Sequence, residues 1–165
     1  MKILAISCHP DDIEIACAGT LAKCVRRGDD VTVCHVANGN LGHAVTPPDE
    51  LREIRAAEAG RAGALAGIKV VTCDVGDLLV YEGVCEQRDR VTEVIRREAP
   101  DLIITHSPTD YMPDHTAVSR LVFDASFAAS VPHYANGSGR EARLTPLYYM
   151  DSPRPNMSIS PTCLS

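Results

Sequence analysis

The chain has 165 residues, of which 45% are hydrophobic and 23% charged, and its formal net charge is −6 at pH 7. This length fits one domain with a buried core, and the composition is that of a soluble globular protein. The acidic balance argues against nucleic-acid and anionic-membrane surfaces, which need basic patches. With no apolar run of membrane-spanning length and no N-terminal leader pattern, we expect a cytoplasmic protein.

The predicted elements alternate between strands and helices. In chain order they are strand 2–7, helix 13–27, strand 31–36, helix 49–65, strand 69–73, helix 84–98, strand 101–106, helix 115–129 and strand 147–150. Alternation with continuous apolar strands predicts an α/β fold, a Rossmann-like three-layer sandwich with a mostly parallel sheet of about five strands. Residues 1–150 form the predicted domain, and the Pro- and Ser-rich residues 151–165 form an irregular tail.

The seven cysteines are dispersed and form no Cys-x-x-Cys pair. Four of them lie in apolar strand or helix patterns: Cys17, Cys24, Cys34 and Cys73. We therefore expect reduced thiols, with no disulfide framework and no catalytic cysteine.

The segment after the first strand, residues 8–14, brings one imidazole and three carboxylates to a single strand end. A divalent metal is the simplest partner for these groups, because His and carboxylate are ordinary zinc ligands. His9 and Asp12 are three residues apart across a turn begun by proline, so both can point at one ion. Asp11 then lies where a general base for a metal-bound water belongs. Acids at a helix N-terminus are an alternative explanation, and this segment alone supports both equally.

A second cluster, which ends in Pro113-Asp114-His115, follows the fourth strand. In a parallel sheet the ends of strands one and four are neighbours at the switch in strand order. His9, Asp12 and His115 can therefore converge, and two His with one carboxylate leave a fourth position for water, as in catalytic zinc sites. Asp114 is expected to orient an imidazole or to cap the helix.

The paired motifs resemble the PIG-L/LmbE-like family of zinc-dependent N-acetylglucosaminyl deacetylases, which act on N-acetylglucosamine-type groups. The resemblance is carried by residues 9–14 and 113–115, and it is supported by residues 19–21, Asn38-Gly39, residues 55–58 and residues 100–104. It implies one Zn²⁺ per chain, or another divalent metal, held by His9, Asp12 and His115. It also implies that Asp11 is the general base.

The resemblance further implies substrate-binding roles for Arg55 and Asp77. Arg55 matches a sugar-contacting position, although an exposed helix arginine paired with Glu58 is an equally supported alternative. Asp77 matches an acid that binds sugar hydroxyls, and a plain turn aspartate is its alternative. Glu14 and Asp114 are expected to support the site without binding metal. The implied partner is a small-molecule N-acetyl sugar conjugate, and the implied assembly is a homo-oligomer.

Two features depart from the family pattern. Many members carry His where this chain has Met112, and the resemblance implies that this His stabilises the oxyanion or protonates the leaving amine. A thioether does neither, and losing such a donor typically costs about 10²–10³ in rate. Tyr111, His106 and His133 are candidate replacements. Family members also usually continue beyond the fifth strand, so the C-terminal part of the family fold is expected to be missing.

The leading functional prediction is zinc-dependent removal of an acetyl group from an N-acetylglucosamine-type substrate by metal-activated water. One alternative is a metal-dependent hydratase or hydrolase of a small carboxylic acid gripped by Arg55. Another is a weakly active metal-binding homologue. The fold alone does not choose among them, because function depends on the site.

Overall fold

A parallel sheet forms the centre of the computed structural model, which describes residues 1–134 and 141–151. In chain order the elements are β1 (Lys2–Ser7), α1 (Asp12–Ala16), α2 (Ala18–Arg27), β2 (Asp30–Ala37), α3 (Pro48–Ala66), β3 (Lys69–Val75), α4 (Cys85–Glu98), β4 (Leu102–His106), α5 (Pro113–Ala129) and β5 (Leu147–Met150). The five strands within these residues are all parallel, in the order β3-β2-β1-β4-β5. The predicted fold class is confirmed.

The core consists of two hydrophobic clusters, one on each face of the sheet. Alternate residues of β1 point to opposite faces, as the period of two requires. Leu4 and Ile6 join the larger cluster, which contains residues of α4 and α5. Ile3 and Ala5 join the smaller cluster, which contains residues of α1 and α2. Helices therefore cover both faces, which gives the predicted three layers.

The main difference from the predicted elements lies in the first helix. It is broken at Cys17, where φ is −147°, so two helices replace the single predicted one. Gly19, a weak helix former, follows the break. A smaller difference is that α5 begins at Pro113, because proline is well tolerated in a first helical turn. Asp114 therefore lies inside that turn and Met112 is the N-cap.

Three further findings concern the cysteines, the character of the helices and the C-terminal tail. The cysteines within the described residues are free; Cys34 and Cys73 are buried, whereas Cys17 and Cys24 are half-buried. Among those same residues, no helix has both the length and the hydrophobicity that crossing a membrane requires. Of the predicted tail, residues 152–165 lie outside the described part of the chain.

Candidate metal centre and cleft

The predicted metal ligands come together at one edge of the sheet. Strands β1 and β4 are paired with Ile6 opposite Thr105, so the segments that follow them leave the sheet side by side. His9 and Asp12 come from the turn after β1, and His115 comes from the first turn of α5. A ligand atom from each of the three lies within 4.8 Å of the others.

The atoms that face one another suit a divalent cation. His115 Nε2 lies 3.2 Å from Asp12 Oδ1, and His9 Nδ1 lies 3.6 Å from Asp12 Oδ2. Both ring nitrogens of His115 are buried, yet neither makes a hydrogen bond with the described residues. Buried polar atoms normally have partners, and imidazole nitrogens beside a carboxylate are what zinc binds. These three residues therefore fit a metal ion.

Each of the two histidines has a carboxylate at its other ring nitrogen. Asp114 Oδ2 lies 3.3 Å from His9 Nε2, and Asp110 Oδ1 lies 3.2 Å from His115 Nδ1. Both carboxylate side chains are buried, 4% and 2% exposed respectively. The hydrogen bond to Asp114 fixes the tautomer and orientation of the His9 imidazole, whereas Asp110 faces His115 as an ion-pair partner. Asp114 also accepts the Leu78 N–H at 2.8 Å, and it makes no helix-capping hydrogen bond.

His106, at the end of β4, is a further member of the site. Its ring stacks on that of His115, with 4.0 Å between centroids. Its Nε2 accepts the Cys8 N–H at 2.9 Å and lies 3.2 Å from Asp12 Oδ2. This Nε2 is engaged by the backbone N–H, yet a ring nitrogen of His106 also lies within 4.8 Å of ligand atoms of Asp110 and His115, so these three residues form a second group that could hold a metal ion. Asp110 and His106 are the two members of the site that the sequence analysis did not place at the metal centre.

Electrostatics keep the carboxylate of Asp12 charged. Burial alone would raise its pKa, but contacts with His106, His115 and His9 lower the pKa well below the usual range. Burial lowers the pKa of His9 and of His115, but contacts with Asp12 and with neighbouring carboxylates together outweigh burial and raise both. For His106 burial dominates and the pKa falls. The negative charge that a cation needs is thus concentrated on Asp12.

The centre opens into a cleft of about 680 Å³. Besides the three ligand candidates, Asp11, Arg55, Asp77 and Met112 line it. Glu14 lies on α1 with an exposed side chain, outside this lining, and its supporting role stays a prediction. A cleft of this size holds a small-molecule ligand.

The family described as PIG-L: GlcNAc-PI de-N-acetylase matches residues 4–126. The chain belongs to the PIG-L family. The 1D-myo-inositol 2-acetamido-2-deoxy-alpha-D-glucopyranoside deacetylase of Corynebacterium diphtheriae is 25% identical over 79% of this chain and 54% of that protein. The chain thus spans about half the length of this curated relative.

Solved structures share the fold of this PIG-L family chain. N,N'-diacetylchitobiose deacetylase from Pyrococcus horikoshii superposes with a TM-score of 0.83 and 25% identity, over 94% of this chain and 62% of that one. The 4-carboxy-2-hydroxymuconate hydratase from Pseudomonas putida superposes with a TM-score of 0.80 and 23% identity, over 90% and 64% of the two chains. At that identity the hydratase shows the common fold alone.

The PIG-L family resemblance implied a sugar contact for Asp77, and the structure gives its carboxylate another task. Oδ1 accepts the Gly39 N–H at 2.8 Å, and Oδ2 accepts the Leu41 N–H at 2.9 Å. The Asp77 N–H in turn donates to Asn40 Oδ1 at 3.0 Å. The buried carboxylate therefore anchors the loop after β2 to the cleft wall, and the sugar contact stays a prediction.

Replacing Asp77 with Asn should lower the free energy of unfolding by about 1–3 kcal/mol, because an amide leaves one buried backbone N–H without an acceptor. Urea titration measures this change. The matched control is Asp74→Asn, which breaks an ion pair with the partly exposed Arg52 and should cost less than about 1 kcal/mol. Equal, small losses in the two variants would mean that Asp77 does not anchor the loop.

Met112, at the position where the family resemblance led us to expect His, lines the cleft. Of the three candidate replacements, Tyr111 also lines the cleft, 58% exposed, with its ring centroid 6.0 Å from that of His115 in an edge-to-face arrangement. His106 is buried and its Nε2 is engaged. His133 lies beyond the far end of α5, about 20 Å away by the rise of a helix. Tyr111 is thus the one of the three that the cleft presents to a ligand.

Proposed function

We propose that this chain is a zinc-dependent hydrolase that removes the acetyl group from an N-acetylglucosamine-type small molecule. The main support is the convergence of His9, Asp12 and His115 at the base of a cleft in a PIG-L family chain. The names of the Corynebacterium and Pyrococcus relatives, both deacetylases of acetamido sugars, support the same substrate class. One zinc per chain, a homo-oligomeric assembly and a cytoplasmic location belong to this proposal.

His9, Asp12 and His115 would hold the metal, while Asp114 and Asp110 keep the two imidazoles oriented. Zinc bound there would supply a nucleophilic water at neutral pH and a Lewis acid for the acetyl carbonyl. The surrounding side chains of the cleft then position the acetamide and move its protons.

Asp11 takes a proton from the attacking water as the new C–O bond forms. The same carboxyl group returns that proton to the amine nitrogen as the C–N bond breaks, which leaves acetic acid and an amine; at neutral pH the acid's proton passes to the amine, so the products are acetate and an ammonium group. Tyr111 presents a hydroxyl for the oxyanion that forms between these steps, the role that the family His fills elsewhere.

The alternative substrate, a small carboxylic acid gripped by Arg55, is less well supported. Arg55 donates to Asp11 and to Glu58, at 2.9 and 3.1 Å. Two carboxylates already neutralise its positive charge, so Arg55 is a weak binding group for a substrate anion. The shared fold with a hydratase does not change this argument, because function depends on the site.

A substrate panel on zinc-loaded protein tests the proposal. N-acetylglucosamine, N,N'-diacetylchitobiose, an N-acetylglucosaminyl inositol and an unsaturated dicarboxylic acid are each incubated with the protein and followed by NMR. We expect acetate from at least one amide and no change in the unsaturated acid, with protein treated with a chelator as the inactive control. Zinc-loaded protein that releases no acetate would contradict the proposal, and turnover of the unsaturated acid would favour the alternative.

A further inference from the structure

Arg55 reaches from α3 to the turn that carries the proposed base. Its Nη2 donates to the Pro10 carbonyl and, at 2.9 Å, to Asp11 Oδ2. Its Nη1 donates to Glu58 Oε2 at 3.1 Å, three residues further along the helix. One guanidinium therefore holds both the backbone and the side chain of the turn that contains Asp11.

The loop after β2 leaves room for this arginine because residue 39 is glycine. Gly39 has a φ of +76°, and a Cβ there would lie 3.2 Å from both Arg55 Cγ and Pro10 Cδ. Residues with a Cβ rarely adopt that φ, and a Cβ rarely lies that close to another heavy atom. Asp77 anchors this loop. The loop therefore packs around Arg55 together with α3 and with the turn after β1.

The side chain of Asp11 itself has little else to restrain it. It is 55% exposed, whereas that of Arg55 is 26% exposed. An exposed carboxylate exchanges freely among its rotamers unless a directional partner holds it. With Oδ2 held by the guanidinium, the carboxylate keeps one orientation at the cleft.

We propose that Arg55 is a positioning residue that holds the Asp11 carboxylate in the orientation in which it takes the proton from the attacking water. This inference rests on the proposed function, because it needs Asp11 as the base. It differs from a sugar-contacting role, which would act on substrate affinity. A positioning role acts on the chemical step, so the two separate in kcat and KM.

The first test compares two glutamine variants on the same helix. We expect Arg55→Gln to lower kcat about 10- to 100-fold with KM changed less than about 3-fold, since displacement of a reacting group by about 1 Å costs this much. Arg52→Gln is the matched control, because Arg52 loses an ion pair with Asp74 outside the cleft lining. A rise in KM with an unchanged kcat in Arg55→Gln would overturn the inference in favour of a substrate contact.

The second test asks whether Arg55 acts through Asp11. In the Asp11→Ala background, Arg55→Gln should lower kcat by less than about 2-fold, because two residues that act as a unit are strongly non-additive. A full 10- to 100-fold loss in that background would contradict positioning.

Crystal structures of zinc-loaded wild-type and Arg55→Gln protein separate this inference from the proposed function. We expect one Asp11 orientation in contact with Arg55 in the wild type and several orientations in the variant. An unchanged, single orientation in Arg55→Gln overturns the inference even in an active enzyme. Wild-type protein that holds this contact but releases no acetate contradicts the proposed function instead.

Discussion

Replacing Asp11 with Asn should lower kcat for acetate release by about 10²–10⁴-fold, the range of a general base, and leave the zinc content unchanged. An amide has nearly the size of the carboxylate but does not take a proton. Asp11 also lies outside the group of ligand atoms that His9, Asp12 and His115 form. Steady-state kinetics of acetate release and elemental analysis of the same samples measure the two effects.

Asp124→Asn is the control for this substitution, because it makes the same change at an exposed position of α5 outside the cleft lining. We expect its kcat and zinc content to match the wild type. Asp11→Asn protein that retains more than about a tenth of the wild-type kcat would exclude a base of this strength. Loss of zinc from that variant would instead make Asp11 a ligand.

Removing either ligand histidine should abolish metal binding at this centre. Three protein ligands with one open position are the minimum for a catalytic zinc site, so His9→Ala and His115→Ala should fall from about one zinc per chain to less than about 0.1. Elemental analysis after gel filtration, supported by calorimetric titration of metal-free protein, measures this loss. Acetate release should fall in parallel.

His133→Ala serves as the control for the histidine variants. His133 is exposed and lies beyond the end of α5, away from the cleft lining. This variant should keep about one zinc per chain. If His9→Ala or His115→Ala binds zinc as tightly as the control, the metal centre lies elsewhere or does not exist.

The sequence predicted those parts of the molecule that depend on local pattern and on sheet topology. Apolar runs located the strands, and β5 begins and ends where it was predicted. The rule that parallel strand ends share one edge predicted that His9, Asp12 and His115 converge, as they do in the structure. These predictions succeeded because they depend on the order of elements and not on side-chain conformation.

The remaining features depend on contacts between distant segments. The contact between Asp110 and His115 depends on the conformation of the loop before α5. The contact between Arg55 and Asp11 joins residues that are 44 positions apart in the sequence. Likewise, the hydrogen bonds of Asp77 depend on the backbone course of the loop after β2. No periodicity or motif spacing contains that information, so these roles emerged only from the packed structure.

A zinc titration with acetate release recorded in the same samples tests the central claim most directly. Metal-free wild-type protein should be inactive, and activity on the preferred N-acetylglucosaminide should rise linearly with added zinc and level off at about one equivalent per chain. Asp11→Asn should bind the same equivalent and stay nearly inactive. Full activity in metal-free protein, or zinc saturation without acetate release from any amide of the panel, would contradict the account.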